Sequence, residues 1–186
     1  MDVEKALSTL TALIASLFLL CFMGWAQTYG NSNSSSNLSS SDRQFLINAA
    51  EGGKSEVVLG KLAAEKGQSQ EVKNFGQRMV TDHTKADTHL KEVAQKEGVT
   101  LPDKMDPDSQ ALEKKLDKLS GAEFDRTYMS AMVKDHSKDV HEFKQEASQA
   151  HNPEVKNFAE QTLPTLEEHL KLAKQIDSKE NQRASR

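Results

Sequence analysis

The sequence predicts an all-α protein, an antiparallel bundle of four long helices with a short extra helix in the connection between the second and third. Three observations carry that prediction. Beyond residue 41, no stretch alternates apolar and polar side chains with the β-branched enrichment of a strand. Four segments instead place apolar side chains at intervals of three and four, the spacing that keeps one face of a helix dry. Between most of these segments stand short breaks rich in Gly, Ser, Asn and Pro, which set consecutive helices side by side in opposite directions.

The first helix is expected over 42–66, with Ser41 as N-cap and Gly67 as terminator. Its inner seam reads Phe45, Ala49, Gly52, Glu56, Leu59, Ala63, so one carboxylate interrupts small and apolar residues. The second follows a Ser69 cap and runs to Glu97, ahead of Gly98 and Pro102. Val72, Phe75, Met79, His83, Ala86, Leu90 and Val93 form its seam, and here the intruder is His83. A turn-rich connection, GVTLPDKMDP, leads to the short helix over 108–119, whose apolar side is Ala111, Leu112, Leu116 and Leu119. After Ser120-Gly121, the third long helix extends to Ala150 along Phe124, Tyr128, Met132, His136, Val140, Phe143 and Ala147. The fourth opens with Asn152 as cap and Pro153 in its first turn, where a missing N–H is no loss. Its seam is Val155, Phe158, Thr162, Thr165, His169, Leu172, Ile176, and Pro164 predicts a kink one turn before His169. After Asp177 the chain turns polar, and 178–186 is expected to be a flexible tail.

Ahead of the bundle, residues 6–26 form the only long apolar run, behind a start carrying Lys5, Asp2 and Glu4. Gly24 and Ala26 occupy the positions a signal peptidase inspects, so 1–26 reads as a signal peptide cleaved after Ala26. The run is also long enough for an uncleaved N-terminal anchor. Leu20 before Cys21 argues against lipid attachment, which wants a small residue there. Residues 27–41, with NSNSSSNLSSS at 31–41, carry almost nothing to bury and form a linker.

Cleavage would remove the single Cys and single Trp, which excludes disulfides, thiolate metal sites and cysteine nucleophiles from the bundle. Taking Lys5, Asp2 and Glu4 from the 24 basic and 28 acidic residues leaves 23 against 26. That mixed, mildly acidic balance gives no footprint for nucleic acid. No Ser-His-Asp order, phosphate loop or paired catalytic carboxylates emerge from the spacings, so a binding role is expected rather than an enzyme.

Two segments share a pattern: MVTDHTKADTHL at 79–90 and MVKDHSKDVHEF at 132–143. The repeat puts His83 and His136 at the same inward register of two helices. Heights along the bundle follow from a rise of about 1.5 Å per residue. Glu56 and His83 then lie about 17 Å and about 21 Å from the Gly67 turn, and His136 and His169 about 23 Å and about 26 Å from the Asn152 turn. Each pair is level to within one helical turn. One carboxylate and three imidazoles in one layer suit a single transition-metal ion, whether iron, zinc, manganese or copper. Asp87 and Asp139, four and three residues past a seam histidine, could add a ligand or hold an imidazole from behind; Asp125 and Tyr128 are further inward-facing candidates for that supporting role. The same layer can also be read as purely structural, its four side chains fixing the register of the bundle. His89, His141 and His151 fall beside the seams or in a turn, and Met79, Met129 and Met132 read as core filler.

Taken in order, SDRQFLINAAEGGKSEVVLGKLAAEKG, VKNFGQRMVTDHTK, GAEFDRTYMSAMVKDH and FAEQTLPTLEEHLKLA resemble a family of secreted bacterial helical proteins catalogued as a domain of unknown function. Its members are labelled outer-membrane or periplasmic and belong to the ferritin-like superfamily. The resemblance covers nearly all of 42–177 and implies a ferritin-like four-helix bundle in the periplasm or cell envelope. It brings no activity. Ferritin-like di-iron sites use a Glu-x-x-His pair on each of two helices. Here Val80, Val133 and Leu166 stand three residues before His83, His136 and His169, so a di-iron centre does not carry over. Two functions remain as expectations: an exported bundle binding one transition-metal ion through Glu56, His83, His136 and His169, or a non-catalytic interaction module docking an envelope protein. Membrane association is expected only through residues 6–26 if they stay uncleaved.

Overall fold

The computed structural model describes residues 38–185, so the leader and most of the linker lie outside the described residues. Five helices follow in order: α1 (Ser40–Lys66), α2 (Gln70–Lys96), α3 (Pro107–Asp117), α4 (Gly121–Gln149) and α5 (Pro153–Ala184). The four long ones are those predicted, and α3 is the short one.

Capping explains most of the boundaries. At α1 the cap is Ser39, two residues earlier than expected. Its hydroxyl accepts the Asp42 N–H while the Asp42 carboxylate accepts the Ser39 N–H, a reciprocal pair that satisfies two orphan donors. Asp42 also accepts the Asn152 N–H at 3.0 Å, so the start of α1 is tied to the start of α5. Asn152 in turn caps α5 through the N–H groups of Glu154 and Val155. At the opposite end Asp125 plays the matching part, accepting the N–H groups of Gln68 at 2.8 Å and Ser69 at 2.7 Å. That corrects its expected place beside the histidines: it ties α4 to the α1–α2 turn. Asp125→Ala would remove the buried carboxylate that two part-buried backbone donors share, and is expected to cost about 1–3 kcal/mol, read as a lower urea midpoint at unchanged m value.

α5 departs most from the sequence reading. It continues to Ala184, past the expected end at Asp177, because Glu180 is buried and Lys179 and Arg183 both pair with Glu71 of α2. Its buried face runs through Leu166 and Ala173 rather than Thr165 and Leu172. Thr162 and Thr165 instead line a groove against α2.

Cross-helix contacts fix the arrangement. Glu56–His83 and Gly60–Gly76 run α1 against α2, and Phe143–Phe158 with His136–His169 run α4 against α5. Glu71–Lys179 and Arg78–Glu168 make α2 and α5 antiparallel, as Phe45–Phe143 and Glu56–His136 do for α1 and α4. The diagonal pair α2 and α4 runs parallel, through Phe75–Tyr128 and His83–His136. The segment 97–120 must therefore traverse the bundle from the Glu97–Asn152 end to the Asp125–Ser69 end, carrying α3 across. A single long crossover of this kind is one of the recognised four-helix topologies.

The buried apolar residues form two clusters. One holds Phe45, Leu46, Leu90, Phe143 and Phe158, and the other Leu59, Phe75, Met79, Phe124 and Tyr128. Glu56, His83, His136 and His169 are buried without belonging to either. No helix among the described residues is long and apolar enough to cross a membrane.

Candidate metal centre

Each of the four long helices contributes one buried polar side chain to a single mid-bundle layer, Glu56, His83, His136 and His169, and the structure brings all four together. Glu56 Oε2 lies 2.8 Å from His83 Nδ1, and Glu56 Oε1 lies 3.1 Å from His136 Nε2. The three imidazoles surround a common point, with ring centroids 5.3–5.8 Å apart, and one ligand atom from each lies within 4.8 Å of the others. Phe75 sets its ring edge-on to His136 and His169 from the next layer.

Hydrogen bonding decides which nitrogen each ring holds in reserve. A backbone carbonyl can only accept, so His136 Nδ1 donates to Met132 O at 3.0 Å and carries the proton. His169 Nε2 donates to Asp82 Oδ2 at 2.8 Å, and His83 Nδ1 donates to Glu56. What remains is His83 Nε2, His136 Nε2 and His169 Nδ1, all buried and all without a hydrogen-bond partner. The Glu56–His136 approach does not relieve this: with the His136 proton on Nδ1, Nε2 meets Glu56 Oε1 lone pair to lone pair at 3.1 Å, and Glu56 Oε1 is likewise unpartnered. Three orphaned nitrogens in one buried layer are unusual, since buried polar atoms normally find partners.

Protonation follows from burial and charge. Burial works against the Glu56 carboxylate, but the charges of His83 and His136 and the His83 hydrogen bond outweigh it and bring its pKa down to about 2. Burial likewise opposes a charged His83, yet Glu56 prevails and raises it. Burial dominates at the other two rings: His136 is lowered, and His169 falls to about 4 despite its bond to Asp82. Near neutral pH the metal-free layer thus holds one ion pair, Glu56–His83, and two neutral imidazoles, so a metal taken by all three rings would displace the His83 Nε2 proton. Neutral imidazole is the form that ligates a metal.

Asp82 is the residue that sequence reasoning missed. Arg78 holds it, with Nε 3.1 Å from Asp82, while the rest of the guanidinium makes a two-pronged contact with Glu168 at 3.1 and 2.7 Å. Burial would raise Asp82, but the bonds from His169 and Arg78 lower it. An imidazole held from behind by a carboxylate is the usual support for a metal ligand. The signal was in the repeat: Met-Val-x-Asp-His carries an aspartate before each histidine, and both matter, because Asp135 joins Asp139 and Glu56 in a second group whose oxygens lie within 4.8 Å of one another. Asp139 is therefore near the layer, as expected, though beside Glu56 rather than an imidazole. Asp87 lines a cavity beside Glu56 and His83, but its carboxylate takes the Lys91 ammonium at 2.6 Å and not an imidazole. Tyr128 is buried with an unpartnered hydroxyl and stacks on Phe124, so it belongs to the apolar cluster beneath and does not take the expected place behind an imidazole.

Residues 27–176 match the family described as Domain of unknown function (DUF4142), and the chain belongs to that family. A search of curated proteins finds no match. Among solved structures, a DUF305 fragment from Deinococcus radiodurans is similar at 15% identity with a TM-score of 0.67, over 76% of this chain and 98% of that one. A candidate secreted protein DUF305 from Streptomyces coelicolor is similar at 14% identity and TM-score 0.65, over 78% and 96%. CopM in its Cu(II)-bound form is similar at 16% identity and TM-score 0.63, over 74% and 96%. At such identities the likeness speaks for the helical fold alone.

Proposed function

We propose that this protein is an exported bundle that binds one transition-metal ion at His83, His136 and His169, with Glu56 adjoining, and does no chemistry of its own. The observation that carries the reading is the set of three buried ring nitrogens, one per imidazole, left without a hydrogen-bond partner while the opposite nitrogen of each ring is held by Glu56, Met132 O or Asp82. A metal ion would satisfy all three at once. Within this reading Glu56 acts mainly by orienting His83 rather than as an equal fourth ligand. Imidazole donors suit copper and zinc ahead of calcium or magnesium. The solved structure of CopM with Cu(II) bound, on a similar fold, makes copper the first ion to try. Export rests on the apolar run 6–26 and on the small residues Gly24 and Ala26.

Elemental analysis of protein purified from its own cell envelope is expected to give one ion per chain. Asp82→Asn should weaken binding by about 10–100-fold, the usual effect of losing the group behind a ligand, and His169→Ala by at least as much. Substoichiometric metal indifferent to both changes would leave a purely structural layer, and with it the interaction-module reading.

A further inference from the structure

Two cavities flank the histidine layer, and they reach it differently. One, of about 270 Å³, lies on the α1–α4 side. Of the three imidazoles only His83 lines it, and Glu56, which takes His83 Nδ1, lines it as well. The other is the groove between α2 and α5, of about 500 Å³. His83, His169 and the Asp82 carboxylate behind His169 all line this groove. An ion bound for the three rings therefore meets two imidazoles from the groove. From the other side it meets one, already engaged by a carboxylate.

The groove stops short of the ligating atoms. His83 Nε2 and His169 Nδ1 are fully buried, and Leu166, 2% exposed, lines both cavities as part of the wall between them. Passage requires a wall to yield, and two features weaken the turn of α5 that faces the groove. Pro164 has no N–H to offer the Glu160 carbonyl, so this turn lacks one backbone hydrogen bond. Thr162 returns its hydroxyl to Phe158 O at 2.8 Å, a side-chain bond of the kind that loosens and bends helices slightly. Thr162 and Thr165, on either side of the proline, both line the groove. A turn with fewer backbone bonds than its neighbours opens locally at a lower free energy than they do.

We infer, on the metal-binding reading above, that the ion enters and leaves through the α2–α5 groove, admitted by local opening of the α5 turn around Pro164. A metal site needs an entry path as much as it needs ligands. The path has its own kinetic signature. A residue on the route sets the barrier and not the bound state, so it changes uptake and release by the same factor and leaves Kd unmoved. A ligand, or the group behind one, shifts Kd instead.

The test is stopped-flow uptake of Cu(II) by the full chain, read by visible absorption, and its release into excess EDTA. Thr165→Phe, which fills the groove, should slow both by about tenfold and keep Kd within about threefold of the parent. Pro164→Ala restores the missing backbone bond at an exposed position and folds without difficulty; it should slow both by about threefold or more. Gly53→Leu narrows the opposite cavity, which Gly53 lines, and should change neither rate by more than about twofold. Saturable binding with rates that Thr165→Phe leaves alone, or that Gly53→Leu slows instead, would overturn the route while the site itself stands. Equal rates in Pro164→Ala and the parent would overturn the part assigned to the proline. A parent that binds no Cu(II) saturably would remove the site, and the route with it.

Discussion

Gly76→Ala is expected to destabilise the protein by about 2–3 kcal/mol, although alanine is the better helix former by about 1 kcal/mol. A Cβ at Gly76 would stand 2.6 Å from the Gly60 carbonyl oxygen and 2.7 Å from the Ala64 backbone nitrogen. Both obstacles are backbone atoms of α1, which cannot swing aside as a side chain would. Relief requires α1 and α2 to part, and Glu56–His83 bridges the same two helices one turn beyond Gly60. The cost should therefore come with weakened metal binding. Gly53→Ala supplies the contrast, because its Cβ would meet nothing within 4 Å. There only the helix preference acts, and a gain of about 0.5–1 kcal/mol is expected. Urea unfolding of the two variants beside the parent separates the cases; equal shifts of the same sign would mean that the α1–α2 approach is not what fixes Gly76.

The contrast also shows what the amino-acid pattern could and could not disclose. Apolar spacing revealed four helices and put Glu56, His83, His136 and His169 on inward faces, because burial of a helix stripe is a local, periodic property. Nothing local distinguishes Gly76 from Gly53; only the distance to another helix does. The path of the α2–α4 connection was equally hidden, since either topology leaves His83 and His136 at mid-height. Caps behaved in the same way. Ser39 won over Ser41 because Asp42 also had to reach Asn152, and Asp125 was drawn to the Gln68–Ser69 turn by two backbone donors 56 and 57 residues away. At the centre itself, residue types were legible while roles were not. Glu56 looked like a fourth ligand by register, yet its strongest contact is with the far nitrogen of His83. Asp82 was passed over because the seam runs through His83 beside it, and only the packing of α5 brings His169 within 2.8 Å.

Glu56→Leu in the metal-free protein should cost about 3–5 kcal/mol, the usual penalty for breaking a buried ion pair from one side. The leucine fills the space but strands in the interior the His83 Nδ1–H, which in the parent lies 2.8 Å from Glu56 Oε2. The penalty belongs to the broken pair and not to the loss of a carboxylate as such. Glu56→Leu/His83→Leu should therefore recover most of it, giving a coupling of 2 kcal/mol or more, on the order seen for contacting buried groups. Its pH dependence follows from the two shifts. Glu56 is depressed from 4.5 to about 2, so its share is present above pH 4.5 and fades as pH falls toward 2. His83 is raised above 6.5, so its share is complete below pH 6.5 and fades as pH rises through its folded value. Both contribute in full only between about pH 4.5 and 6.5, and the difference between parent and Glu56→Leu should peak there. Chemical unfolding at pH 3, 5.5 and 9 measures it. A difference that stays flat across that range, or a double variant no more stable than the single, would mean that Glu56 and His83 are not a buried pair.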